Sequence, residues 1–313
     1  MNNLLIILPV FSLMLAGFLL GRTRIFPEGS GAAQSLSTYV WYVAIPALLI
    51  KLIANNTLPD SSELTWVVSY YVCLYLIYFV AYKIVAPLIN IESSGRAVFA
   101  FSVCFGNMGF IGIGIMYPLF GEEGVRSLLL IMSFHMLSLI LVTTVLTEIN
   151  KSTKVQLSSL LFELLGKLTR NTIIVTMVLS LLWSATGLGI ADWVMRLVSL
   201  PADSAAPVGL FAVGLSLSRV KIKGVRLVAF SAMGLKLIAL PLVVYLFMTH
   251  VMAFDPRDVI IATLCACLPT GVAAYNIAQQ YDVGVKTSSA IILLGTITSA
   301  FTLTIAMSLL IHS

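Results

Sequence analysis

The sequence predicts an all-α membrane protein of ten transmembrane helices, arranged as two inverted five-helix repeats in which helices four and nine are broken. Three observations carry this expectation. Of 313 residues, 59% are hydrophobic and only 10% charged, and the mean hydropathy is +1.04. A soluble chain of this length needs far more charge to cover its surface. Ten apolar runs, each close to the roughly 20 residues that cross the hydrocarbon as a helix, fill most of the chain. Basic residues, finally, gather in alternate loops.

The runs lie near 3–21, 36–54, 65–88, 97–119, 126–148, 171–187, 197–218, 225–249, 257–280 and 287–311. The first has no basic residue ahead of it and no small-residue cleavage site behind it, so it reads as a retained helix. The second carries Pro46 in "VAIPALLI". The third, "SYYVCLYLIYFVAY", is rich in tyrosine and reads as lipid-facing or scaffold packing. The fourth contains "FGNMGFIGIGIMYP" at 105–118, with four glycines, an asparagine and a proline. The fifth places His135 mid-span, the seventh places Pro207 in "SAAPVGLF", and the eighth places Lys236 about a dozen residues in. The ninth contains "ACLPTGV" around Pro269. The connections are short and leave no room for a soluble catalytic domain.

Thirteen of the eighteen Lys and Arg residues fall in loops after odd-numbered spans. Only Arg126, Arg196 and Arg257 fall after even ones, and Lys51 and Lys236 sit within spans. The positive-inside rule then puts the odd loops in the cytoplasm and both termini outside. The net charge of +5 is a topology signal, and no nucleic-acid partner is expected. Five spans per half make the second half enter the membrane in the opposite sense. The expected organisation is a first repeat over 1–148, a cytoplasmic linker over 149–170 and a second repeat over 171–313. Pro46 and Pro207 are 161 residues apart, Gly106 and Pro269 are 163 apart, and Cys104 matches Cys267 at the same offset.

Glycine and proline inside a span free backbone groups, and each unsatisfied group costs several kcal/mol in hydrocarbon. Such breaks are tolerated where backbone is buried in protein or lines a cavity, and secondary transporters build midplane substrate sites from them. Half-helix N-termini at the breaks offer N–H groups to anions. "GNMG" and "LPTG" are the matching breaks. Gly112 and Gly114 suit close helix packing instead, whereas Asn107 carries a carboxamide that needs partners when buried.

These segments resemble the auxin efflux carrier family, whose members include plant PIN-type and bacterial malonate-type carriers. "FGNMGFIGIG" at 105–114 and "LPTGVAAYNIAQQYDV" at 268–283 are similar to the family's fourth- and ninth-span crossovers. "YVAIPALLIKLIANN" at 42–56, "LFAVGLSLS" at 210–218 and "KLIALPLVV" at 236–244 are similar to its second, seventh and eighth spans. The resemblance implies ten helices in two inverted repeats, with helices four and nine crossing at their breaks and a transport part sliding against a scaffold part. It also implies that Asn107 occupies the place of a substrate-recognising asparagine. One departure is that relatives often carry proline where this chain has Gly106, and again where it has Gly114.

Ionisable residues within spans are expensive and functional by default. His135 is a candidate for proton coupling. Lys236 is a candidate to neutralise an anion, the alternative being a lysine that snorkels or donates to freed carbonyls. Lys51, near the outer end of span two, is expected to snorkel. No Asp or Glu lies deep in any span, which favours proton coupling, or none, over a sodium site. The four cysteines all fall in apolar runs and lack the partners of a zinc site. No cofactor and no metal are expected.

The function expected is a non-enzymatic secondary transporter of a small organic anion, a mono- or dicarboxylate, in a bacterial inner membrane. The candidate substrate site comprises Gly106, Asn107, Met108, Gly109, Thr270 and Gly271, with Pro269 setting the second break and His135 and Lys236 serving coupling. The partners are the anion and membrane lipid, and a homodimer is compatible with the reading. A sodium symporter on the same fold and a non-transporting membrane sensor are the alternatives.

Overall fold

The computed structural model describes residues 3–27, 30–53, 60–150, 172–218 and 226–311. Among these, all extended regular structure is helical, and the only β-type pairing is one isolated bridge. The expected linker at 149–170 lies outside the described residues from 151 onward, as do Arg219, Lys221 and Lys223.

Helix α1 spans Asn3–Leu20, α2 Ala32–Ile53 and α3 Ser61–Leu88. Helix α4 spans Ser93–Cys104. Helices α5 (108–120) and α6 (122–150) are separated at Gly121, whose φ of 65° and ψ of −151° end a helix and suit glycine. Then come α7 (Thr172–Ala185), α8 (Asp192–Leu217), α9 (Arg226–Val251), α10 (Pro256–Cys267), α11 (Ala273–Gln280) and α12 (Val285–Ile311). Among the described residues, six stretches are long and apolar enough to cross a membrane: α2, α3, Met108–Thr147, α8, α9 and α12. Two shorter apolar helices, Ile7–Leu20 and Thr172–Ala185, accompany them.

The exposed surfaces of these helices are apolar. On α3, Val68, Val72, Leu76 and Phe79 face outward while Tyr70, Leu74, Ile77 and Tyr78 are buried. Helix α12 likewise exposes Ile297, Phe301, Ile305 and Leu309. Stripes of exposed large apolar residues at helical spacing are costly in water and natural in lipid. The tyrosines of α3 therefore divide from the lipid-facing positions: Tyr70, Tyr78 and Tyr82 are buried.

Proline positions explain three of the five π turns found among the described residues. π-helical turns occupy Val40–Ala44, Ala81–Val85 and Leu235–Ala239, and in each case a proline (Pro46, Pro87, Pro241) follows two residues after the turn ends. Proline has no N–H to give and its ring crowds the carbonyl four residues back; a local π turn widens the ladder enough to absorb both. Lys236 lies in the third of these turns.

The described chain forms two compact units that do not follow chain order. One comprises residues 1–63, 108–134 and 158–219, and the other 64–107, 135–157 and 220–313. In the first, α1 lies against the second half of α8. This crossing is so close that a Cβ on Gly17 would collide with the Phe211 carbonyl, and one on Gly214 with that of Met14. Ion pairs add to the packing of this unit: Lys51 Nζ lies 2.9 Å from Asp203 and 3.9 Å from Glu122, and Arg126 pairs with Glu63. Lys51, expected to snorkel, is thus held by a carboxylate. In the second unit, α10 packs on α9 and α12, and α11 on α4 and α12. The residues of α4 from Ala97 to Cys104 and of α10 from Ile261 to Cys267 are all buried.

Candidate functional site

Both expected breaks are present, and they meet within the second unit. Helix α4 ends at Cys104, where Phe105 turns extended (φ −72°, ψ 102°). Helix α10 ends at Cys267, where Leu268 does the same (φ −62°, ψ 138°). Leu268 precedes Pro269, and the residue before a proline is pushed into this extended region.

The two extended segments form the antiparallel bridge Gly106↔Thr270. The Asn107 N–H donates to the Pro269 carbonyl at 2.8 Å, and the Gly271 N–H donates to the Phe105 carbonyl at 2.9 Å. Backbone groups released by one broken helix are thus satisfied by the other, which is what burial demands of them. The Thr270 hydroxyl donates to the Ser102 carbonyl at 2.8 Å, and Ser102 Oγ lies 3.0 Å from Ser288 Oγ on α12. Gly271 lacks a side chain for a steric reason: a Cβ there would lie 2.7 Å from the ring of Phe105. That ring is stacked on Phe101 at 5.1 Å and beside His135 at 5.2 Å.

His135 belongs to this crossover directly. Its Nε2 accepts the Gly106 N–H at 3.0 Å. A backbone N–H can only donate, so Nε2 carries the lone pair and, in the neutral ring, Nδ1 carries the hydrogen. His135 is 1% exposed, and its Nδ1 has no partner. Lys236, also 1% exposed, has no partner for Nζ and lies within electrostatic range of His135 and of Cys104, Cys265 and Cys267. Asn107 is buried with Nδ2 unpartnered. All three unpartnered nitrogens are N–H donors.

Of the expected site residues, the structure gathers Gly106, Asn107, Pro269, Thr270 and Gly271 at one bridge and adds His135 by a hydrogen bond. Met108 and Gly109 fall in the first unit. There they open α5 with a π turn, and Gly109 faces Ile45, Met132 and Trp41. The Thr270 hydroxyl hydrogen is engaged by Ser102. Ser102 and Ser288 were not legible as part of the site, because lone serines in apolar helices carry no distinguishing pattern.

A buried antiparallel crossing of two broken helices, set among helices long and apolar enough to cross a membrane, places the chain among multi-pass membrane proteins. The chain belongs to the membrane transport protein family, whose model matches residues 4–307. This agrees with the auxin efflux carrier resemblance of its crossover segments, and the protein is a transporter and not an enzyme. A relative from Rhizobium meliloti (strain 1021), named "Putative malonate transporter", is 25% identical over 299 residues, covering 96% of this chain and 93% of its own.

Proposed function

We propose that this protein carries a small organic anion, a mono- or dicarboxylate, by alternating access in a bacterial inner membrane. The observation that carries the reading is the set of three buried N–H donors at the crossover, Asn107 Nδ2, His135 Nδ1 and Lys236 Nζ, none of which has a partner. Buried polar groups are nearly always satisfied, and a ligand made of acceptors is the complement of these three donors. A carboxylate offers about four lone-pair sites and none to donate. The relative's printed name fits this class.

We further propose ten spans in two inverted repeats, a reading supported by the correspondence of the two breaks. Helices α4 and α10 are each 12 residues long, begin 163 residues apart, at Ser93 and Pro256, and end in extended caps at the same offset. The two bridge hydrogen bonds exchange under an offset of 164: Asn107 to Pro269 becomes Gly271 to Phe105. The extra residue reflects a longer break in the second half, where α11 starts at Ala273. With odd loops cytoplasmic, both termini face outward. On a cysteine-free background, a cysteine replacing Ser61 should react with an impermeant thiol reagent added outside, and one replacing Lys286 should not. The reverse pattern would invert the topology.

We infer proton coupling from one lone pair with two claimants. His135 Nε2 cannot hold a transported proton and the Gly106 N–H together, so protonation releases the crossover backbone. This links proton occupancy to the conformation of the substrate site.

The site is tested by Asn107→Leu. Leucine matches asparagine in size but forms no hydrogen bond. Losing a hydrogen bond to a charged group costs about 1.5–3 kcal/mol, so the apparent affinity for malonate, read from thermal stabilisation in detergent, should fall roughly tenfold to a hundredfold. An unchanged malonate response in a folded Asn107→Leu protein would move the site elsewhere.

A further inference from the structure

We propose that hydroxyl groups on α3 and α6 form a proton pathway from His135 to the Tyr281 end of α11. The proposal rests on the proton-coupled reading above and adds the route by which the proton reaches or leaves the ring.

The groups lie in sequence along one helix pair. The Tyr71 ring is 6.3 Å from the His135 ring, Tyr75 is 6.2 Å from Tyr71, and Tyr78 is 6.2 Å from Tyr75, all between ring centroids. Ser138, one turn beyond His135 on α6, faces the hydroxyls of both Tyr71 and Tyr75. Tyr78 OH lies 2.8 Å from Thr143 Oγ1 and 3.2 Å from the Ala97 carbonyl, a second acceptor for its proton. One residue on, Thr144 Oγ1 accepts the Tyr281 hydroxyl at 2.7 Å. Tyr281 is half-buried and adjoins the exposed Asp282. From His135 to Thr144 the helix rises about 14 Å at 1.5 Å per residue, close to half the roughly 30 Å hydrocarbon thickness.

Packing alone does not account for this column. Tyr75 OH and Ser138 Oγ are buried with no hydrogen bond of good geometry. Burying such a hydroxyl unsatisfied is costly, and phenylalanine or alanine would fill the same space without the penalty. Each hydroxyl can accept one hydrogen bond and donate another; rotation of the hydroxyls serves the direct contacts, and water bridges the remaining steps, Thr143 to Thr144 among them. In a transfer each oxygen binds an incoming proton and releases its own, so no hydroxyl gains or loses charge. His135 takes the proton on Nε2 and releases the one on Nδ1. The titratable groups facing the ring are Tyr71 on α3 and Lys236 on α9.

Tyr75→Phe and Ser138→Ala delete the hydroxyls and keep the packing. The full-length protein is reconstituted in liposomes with labelled malonate, and two rates are compared: counterflow without a gradient, and accumulation driven by a pH gradient. Both variants should keep counterflow close to parental while losing gradient-driven accumulation about tenfold, the equivalent of roughly 1.4 kcal/mol in a barrier. Unchanged accumulation in both variants would reduce the column to packing. Equal loss of both rates would place the hydroxyls in the carrier's structure and overturn the pathway. A parent with counterflow but no response to the gradient refutes the pathway and leaves the carrier standing. A parent without malonate counterflow refutes the carrier reading for this anion and the pathway that rests on it.

Discussion

Replacing Lys236 with methionine should abolish malonate accumulation and raise the melting temperature of the detergent-purified protein. The two effects have one cause. Lys236 is buried to 1% exposure, and its Nζ has no hydrogen-bond partner. Among the described residues no salt bridge involves it. An ammonium removed from water and left unpaired costs several kcal/mol even after relaxation. Methionine has similar length and fills irregular space readily, so the fold should gain about 1–4 kcal/mol, the range seen when buried charges give way to apolar groups. The anion, conversely, loses the lysine's counter-charge at the crossover. A charge-assisted hydrogen bond is worth about 1.5–3 kcal/mol, and loss of the Coulomb attraction adds to it. Stability bought with function is the expected mark of a ligand site. A Lys236→Met protein that still accumulates malonate would remove the lysine from the site. One that melts earlier than the parent would show that its stem and charge hold the fold.

Parts of this site were legible because they violate local rules. Glycine and proline within apolar runs announced both breaks, and the offset between them anticipated that they would be counterparts. His135 and Lys236 stood out as ionisable residues inside spans. Long-range pairing was not legible. Nothing near Lys51 in sequence suggests Asp203, 152 residues away, and snorkelling was the natural local expectation. Met108 and Gly109 were grouped with Asn107 by adjacency, yet the helix restarts at Met108 and the chain passes there from one unit to the other. The tyrosines of α3 hid for another reason. Every position from Tyr70 to Tyr82 is aromatic or apolar, so no hydrophobic period separates the buried face from the lipid face. The π turn that carries Lys236 did leave a signal, the proline five residues on, although it is readable only once Pro46 and Pro87 show the same spacing.

Gly106→Pro should destabilise the protein, and His135→Leu should cancel much of that loss. The residue before 106 has the conformation a proline needs. Phe105 is already extended, with φ −72° and ψ 102°, as a residue before proline must be, and the corresponding Leu268 precedes a natural proline. What proline removes is the N–H that donates to His135 Nε2 at 3.0 Å. The imidazole acceptor is then buried without a donor, a loss of about 1–3 kcal/mol. The pyrrolidine ring also occupies the space between backbone and imidazole, and overpacking adds roughly 1–3 kcal/mol. His135→Leu alone should cost a similar amount, because it strands the Gly106 N–H. With both changes neither partner remains, and removing a hydrogen-bonded pair in favour of apolar groups is close to neutral. The double-mutant cycle should therefore show a coupling of about 1–3 kcal/mol in melting experiments, with the double variant at least as stable as Gly106→Pro. Additive losses would mean that the Gly106 to His135 bond contributes nothing to the crossover. The proton would then have no backbone contact to break, and the link between protonation and the substrate site would fall with it.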